Sequence, residues 1–350
     1  MRFVLSTLAL AAACSKPPSN AEASPPTAPA AQAPVAPAPS GVACGSGRNL
    51  TVHFYDVGQG LAVLVDLPDG RHVLVDTGDS PRREGCGDVC PRAAQHLLDS
   101  LRADLRGAPI DMMWITHQHS DHIGGAPEIL SSLPVGVYVD NGRDPRKGEV
   151  RRAREAAAAR GASVQVVDPE RTASPMPPTA AATLTPIVPS AWPRSCREDE
   201  NECSIALRID ACGSSVLLTG DAEHQEEALL DPRGRVTLLQ VAHHGSDTST
   251  SPAFLSRARP QYAVLSAGKP DEGLNHDYCH PRAIVVRRLV QVLGGSPTGS
   301  LAAFDGDRCD RATPADWVHV PTSDRLWATE RDGDVVLTTA GAGVFRRVSR

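Results

Sequence analysis

The chain has 350 residues, 41% of them apolar but only 4% aromatic, with a formal net charge of −6. That is ample for a core of Val, Leu, Ala and Ile in one large domain or two. The acidic balance excludes a nucleic-acid binder that works through overall basicity. Arg151-Arg152 and Arg346-Arg347 read as solvated faces, and a phosphate held through metal ions stays open.

Arg2 and the apolar residues 3–13 read as an export signal, too short for a spanning helix of about 20 residues. Leu10-Ala11-Ala12-Ala13-Cys14 resembles the lipobox of bacterial lipoproteins, which implies lipidation of Cys14; an ordinary secretory signal is the alternative. No later stretch is long and apolar enough to span a bilayer, so the mature protein is expected to be soluble or lipid-tethered. Residues 15–40 are mostly Pro, Ala and Ser and read as an extended tether of about 3 Å per residue. The expected organisation is a signal at 1–13, an anchor cysteine and linker at 14–43, and a globular domain at 44–350.

With Cys14 set aside, eight of the nine cysteines remain, an even number that reads as disulfides in an exported chain. Cys86 with Cys90 and Cys196 with Cys203 can close small loops. Cys279 with Cys309 and Cys44 with Cys212 complete one set, though spacing leaves the connectivity open.

Alternation and turn residues predict antiparallel strands at 50–56, 61–67 and 72–75, ending at Asp76-Thr77-Gly78. Ala94, Leu97, Leu98, Leu101 and Leu105 mark one helical face, and Gly107-Ala108-Pro109 stops that helix. A strand at 110–115 then delivers His117-Gln118-His119-Ser120-Asp121-His122. Beyond it the pattern predicts helices at 126–130 and 149–160 and strands at 135–139, 163–167, 183–188, 204–210 and 215–219. A helix at 222–230 and strands at 238–241 and 262–265 complete it. Two blocks of strands followed by helices suggest an α/β (α+β) fold with two sheets packed together and helices outside.

Three imidazoles and a carboxylate within six residues carry metal-ligand chemistry. If the segment is a turn, His117 and His119 can grip one ion while Asp121 and His122 reach a second. Asp76, Asp221, His243-His244 and His280 likewise follow apolar strands, so converging strand ends would make one polar site. Gly220-Asp221 could instead be only a helix cap.

Asp76-Thr77-Gly78, His117-x-His119-x-Asp121-His122 and Thr219-Gly220-Asp221 resemble the motifs of the metallo-β-lactamase fold. Residues 54–60 (Phe-Tyr-Asp-Val-Gly-Gln-Gly), Asn201-x-x-Ser204, His243-His244-Gly245-Ser246 and His280-Pro281 are similar to the hydrolase domain of ComEC-type competence proteins. Residues 326–329 through Thr338 resemble that family's closing strand pair. Leu61 and Arg282 depart from the narrower pattern, and residues 201–204 stand where the broad fold usually has a histidine.

The resemblance implies a four-layer αββα sandwich with two divalent ions, zinc or manganese, at one edge. His117 and His119 would bind the first, Asp121 and His122 the second, and Asp221 both. His280 and one of His243 or His244 would complete the shells, with Asp76 orienting a ligand. The set adopted takes His243 as ligand, leaving His244 to protonate the leaving group and Asp121 to serve both binding and catalysis. The implied reaction is hydrolysis by a hydroxide held between the ions, with a phosphodiester such as DNA as substrate, in the cell envelope. Alternatives are a cell-wall phosphoester hydrolase, a β-lactamase, and a non-catalytic DNA-uptake or envelope-binding protein.

Overall fold

A computed structural model describes Cys44 and residues 48–144, 146–270 and 272–349. The export signal, the lipidated Cys14 and the linker expected at 1–43 lie outside the described residues. The chain opens with β1 (Leu50–Phe54), β2 (Val63–Asp66), β3 (His72–Val75), α1 (Val89–Leu105) and β4 (Ile110–Trp114). Then come α2 (Ser120–Ile123), α3 (Ala126–Ser132), β5 (Val135–Asp140), α4 (Gly148–Ala159) and β6 (Ser163–Val166). The second block is β7 (Ala182–Ile187), β8 (Ala206–Ala211), β9 (Ser214–Leu218), α5 (His224–Leu229), β10 (Leu238–Gln240), α6 (Pro252–Ala258) and β11 (Tyr262–Leu265). It continues through α7 (Asn275–Tyr278), α8 (Ala283–Leu293), β12 (Pro297–Phe304) and β13 (Trp317–Ser323). The last elements are β14 (Leu326–Ala328), α9 (Thr329–Asp332), β15 (Val335–Thr339) and β16 (Arg346–Val348).

One sheet runs β16-β15-β1-β2-β3-β4-β5-β6 and the other β14-β11-β10-β9-β8-β7, with β12-β13 a separate hairpin. Alternation decides the layers. Val52, Phe54, Val63, Val65, Met112 and Trp114 meet Leu207, Ile209, Val216, Leu218 and Val264 between the sheets. The opposite faces of the same strands bury Leu64, Leu74 and Met113 against Leu97, Leu101, Ile129 and Val150 of the outer helices. On the far side Leu217, Leu239 and Leu265 pack with Phe254, Leu255, Val286 and Leu289. The expected αββα layering is therefore the fold. Trp114 ties the two sheets, its indole N–H donating across the core to Ile205 O at 2.8 Å. Truncating so buried a ring costs about 3–5 kcal/mol.

The two closing strands join different sheets: β14 runs parallel to β11, whereas β15 runs antiparallel to β1. Their side chains require different partners, since Leu326 and Ala328 pack under the helices of the second sheet while Val335 and Leu337 enter the layer between sheets. The helix after Asp221 begins at His224, with Glu223 as its cap position, so Asp221 stands in the preceding turn and is free for another role.

Among the described residues the disulfides are Cys44–Cys212, Cys86–Cys90, Cys196–Cys203 and Cys279–Cys309, the set named from the sequence. Among the described residues no helix is long and apolar enough to cross a membrane.

Candidate metal centre

Parallel pairing brings the functional residues to one edge. β3 and β4 run parallel, as do β9, β10 and β11, so their carboxyl ends deliver Asp76, His117, Asp221, His243-His244 and Ser266. Close backbone approach requires glycine at two places in this edge. A Cβ at Gly220 would meet Thr116 Cβ at 2.6 Å, and one at Gly60 would meet Asp121 O at 2.7 Å. Gly220 also has φ of +57°, which disfavours any side chain there.

Asp121, His122, Asp221 and His244 each present a ligand atom, all within 4.8 Å of one another. His122 Nδ1 lies 2.7 Å from Asp76 Oδ2, and Asp76 also accepts from Thr116 N and Thr116 Oγ1 at 2.8 and 2.7 Å. His244 Nδ1 lies 2.8 Å from Ser266 O. Those contacts occupy Nδ1 of each ring and leave Nε2 as the atom that faces the cluster.

His122 Nε2 lies 3.1 Å from Asp221 Oδ2, and His244 Nε2 is 3.3 and 3.4 Å from Asp121 and Asp221 Oδ2. Against burial, Asp221, Asp76 and Asp121 raise the His122 pKa well above its ordinary value, so the carboxylates favour positive charge at this position. His122 Nε2, His244 Nε2 and Asp221 Oδ1 are buried without hydrogen-bond partners. Buried orphans of this kind are costly, and a divalent cation satisfies the whole set. The donors fit a metal ion, and the two carboxylates supply the charge that holds it.

On the other side His117 Nε2 and His119 Nδ1 are 3.1 Å apart, and the His117 and His122 ring centroids are 4.2 Å apart. Burial, reinforced by its histidine neighbours, holds the His117 pKa well below the ordinary value and favours the neutral ligand form. The same causes depress His280. Burial opposes ionisation of Asp221, yet His122, His244 and His243 outweigh it and keep this carboxyl well below the usual range.

The sequence reading is altered at the paired histidines. Both lie at positive φ, 47° and 50°, but their rings diverge. His244 occupies the donor cluster. His243 instead has Nδ1 2.8 Å from Glu223 Oε1 and 3.2 Å from Thr248 Oγ1, with Nε2 4.0 Å from Asp221 Oδ2. The geometry brings His244 rather than His243 into the close donor cluster, because Ser266 and Glu223 come from different elements and hold the two rings apart. His280 stands behind His243, ring centroids 5.2 Å apart, with Nδ1 3.3 Å from Gln59 Nε2. It is outside the close donor cluster. Residues 201–203 contribute no imidazole; Asn201 Nδ2 lies 3.4 Å from His243 Nε2. Glu223 was missed by sequence reasoning, although a carboxylate two residues beyond Asp221 was a usable signal.

Residues 55–269 match the metallo-beta-lactamase superfamily, and the chain belongs to it. Recombination protein 2 of Haemophilus influenzae is 31% identical over 219 residues, covering 61% of this chain and 24% of that protein. ComE operon protein 3 of Bacillus subtilis is 30% identical over 278 residues, 71% of this chain and 32% of that one. The chain thus spans about a quarter to a third of the length of these curated relatives. Among solved structures, the metallo-beta-lactamase fold protein YhfI of Bacillus subtilis is 15% identical, covering 55% of this chain and 71% of that one, with a TM-score of 0.37.

Proposed function

We propose that this chain is an exported, divalent-metal-dependent phosphodiesterase acting on a nucleic-acid backbone in the cell envelope. The observation that carries the reading is the convergence of Asp121, His122, Asp221 and His244, with three buried donor atoms left unpartnered. These four would hold one ion, and His117 and His119 a second, with Asp221 Oδ1 remaining for it. Divalent ions bound there would polarise a phosphoryl oxygen and lower the pKa of a coordinated water.

The chain's own groups do the rest. Asp76 and Ser266 fix which nitrogen of His122 and His244 carries the proton, so both rings enter as neutral ligands. His243 is oriented by Glu223, and its Nε2 is directed toward the cluster, the arrangement needed to hand a proton to a leaving alcohol. Gln59 and Asn275 hold the His280 turn, the latter through its amide to His280 N and O at 2.8 and 2.6 Å.

A relative named for recombination supports a nucleic-acid substrate. The four disulfides support an oxidising compartment, and the lipobox-like residues 10–14 support tethering through a lipid on Cys14. The test is turnover of single-stranded DNA, bis-p-nitrophenyl phosphate and a β-lactam by zinc- or manganese-loaded protein, with Asp221→Ala as control. Hydrolysis of the two phosphodiesters, but not the lactam, is expected, and loss of both in the control. Lactam hydrolysis alone would overturn the substrate class. Fewer than one bound ion, with no activation by metal, would favour a non-catalytic binding protein.

A further inference from the structure

We propose that Glu200, held by Lys147, is a positioning residue that sets the ring of His119 at the first metal position. The inference rests on the two-ion reading above and concerns the side of the site that has no third imidazole.

The ligand atoms on that side are identified by proximity. His117 Nε2 and His119 Nδ1 lie 3.1 Å apart, so both must offer lone pairs if one ion is shared between them. A neutral His119 that uses Nδ1 as a ligand carries its proton on Nε2, and that proton needs an acceptor. Glu200 Oε2 is 3.7 Å from His119 Nε2 and accepts from Lys147 Nζ at 2.6 Å. As with Asp76 and His122, the ring's second nitrogen is turned to a carboxylate, here at 3.7 Å rather than 2.7 Å.

Burial explains why His119 needs such a partner. His117 and His122 are fully enclosed, so packing limits their rings. The His119 side chain is 39% exposed, so its ring has room to turn. Glu200 is delivered on a braced loop. Cys196–Cys203 closes that loop, Glu198 N and Asp199 N donate to Ser195 O at 2.8 and 2.9 Å, and Arg143 reaches Cys196 O at 3.3 Å. Lys147 comes from the start of α4, so the pair adds to the bonds from Asn141 and Arg143 that already join this segment to the Glu200 loop. The ammonium also keeps Glu200 occupied as a partner of the ring rather than as a competing ligand.

The test is metal titration of the wild type, Glu200→Ala, Glu200→Gln and Lys147→Ala against a chromophoric chelator, with cobalt absorption reporting each site. The wild type is expected to bind two ions. Glu200→Ala should weaken one of them about 10–100-fold and leave the other unchanged. Glu200→Gln, whose amide oxygen still accepts from Nε2–H, should recover part of the loss, and Lys147→Ala should fall between. Two ions bound by Glu200→Ala with wild-type affinities would overturn this assignment alone. A wild type that binds fewer than two ions would remove the dinuclear reading and this inference with it. Circular dichroism checks that each variant is folded, as expected for a substitution at the partly exposed Glu200.

Discussion

Asp76 Oδ2 lies 2.7 Å from His122 Nδ1, and this contact turns His122 Nε2 toward Asp221 and Asp121. Asp76 is itself fully buried at φ of +57°, a costly backbone conformation for a residue other than glycine. Thr116 holds it from the neighbouring strand end. Asp76→Ala is therefore expected to lower affinity for the ion at the Asp121 cluster about 10–100-fold, measured by chelator competition. Unchanged affinity would show that Asp76 serves only the strand ends.

The divergence of the paired histidines gives opposite expectations for two adjacent residues. On the two-ion proposal, His244→Ala should remove one of the ions. His243→Ala should keep both yet lower phosphodiester turnover about 10²–10⁴-fold, the range for losing a proton donor. Metal content and turnover measured on both variants decide the matter: an ion lost from His243→Ala and retained in His244→Ala would reverse the roles.

The strand ends were legible because apolar runs stop abruptly at polar residues, as at Ile115 before His117 and Val241 before His243. Which of His243 and His244 turns inward was not legible. Both belong to one turn, and the choice lies with Ser266 and Glu223, which sequence separates from them by a strand or more. Glu200 was hidden for a related reason, since a surface carboxylate becomes significant only once its loop is folded against His119. The β12–β13 hairpin escaped because Pro297, Gly299 and Ser300 carry little strand signature, although their chain pairs through Ala303 and Phe304 with Val318 and Trp317. α8 buries Val285, Val286, Leu289 and Leu293 on one face, a helical period that the sequence analysis did not take up.

The disulfides should differ in their contribution to stability. Cys44–Cys212 closes a separation of 168 residues and ties the segment before β1 to the β8–β9 turn, so it joins the two sheets. Cys86–Cys90 closes only 4. Loop-closure entropy assigns about 5 kcal/mol to the first and about 2 kcal/mol to the second. Replacing each pair by serines and measuring chemical denaturation should give the larger loss for Cys44 and Cys212. Equal losses would mean that the unfolded chain is already constrained across the long loop.

Glu330 supplies a pH dependence away from the metal donors. Burial raises its pKa from 4.5 to about 8, although Ala302 and Arg331 favour the charged form. One carboxyl oxygen, Oε2, is buried without a hydrogen-bond partner. Between those two values the folded protein keeps a proton that the unfolded chain has released. Stability from this group is therefore greatest below pH 4.5 and falls as pH rises toward 8, by about 1.4 kcal/mol per unit while the two states differ by a full proton. Glu330→Gln resembles the protonated form and should escape the loss. Its advantage over wild type in urea denaturation should grow from about pH 5 to pH 8 and level off beyond, and an advantage that stays constant across that range would place the Glu330 proton elsewhere.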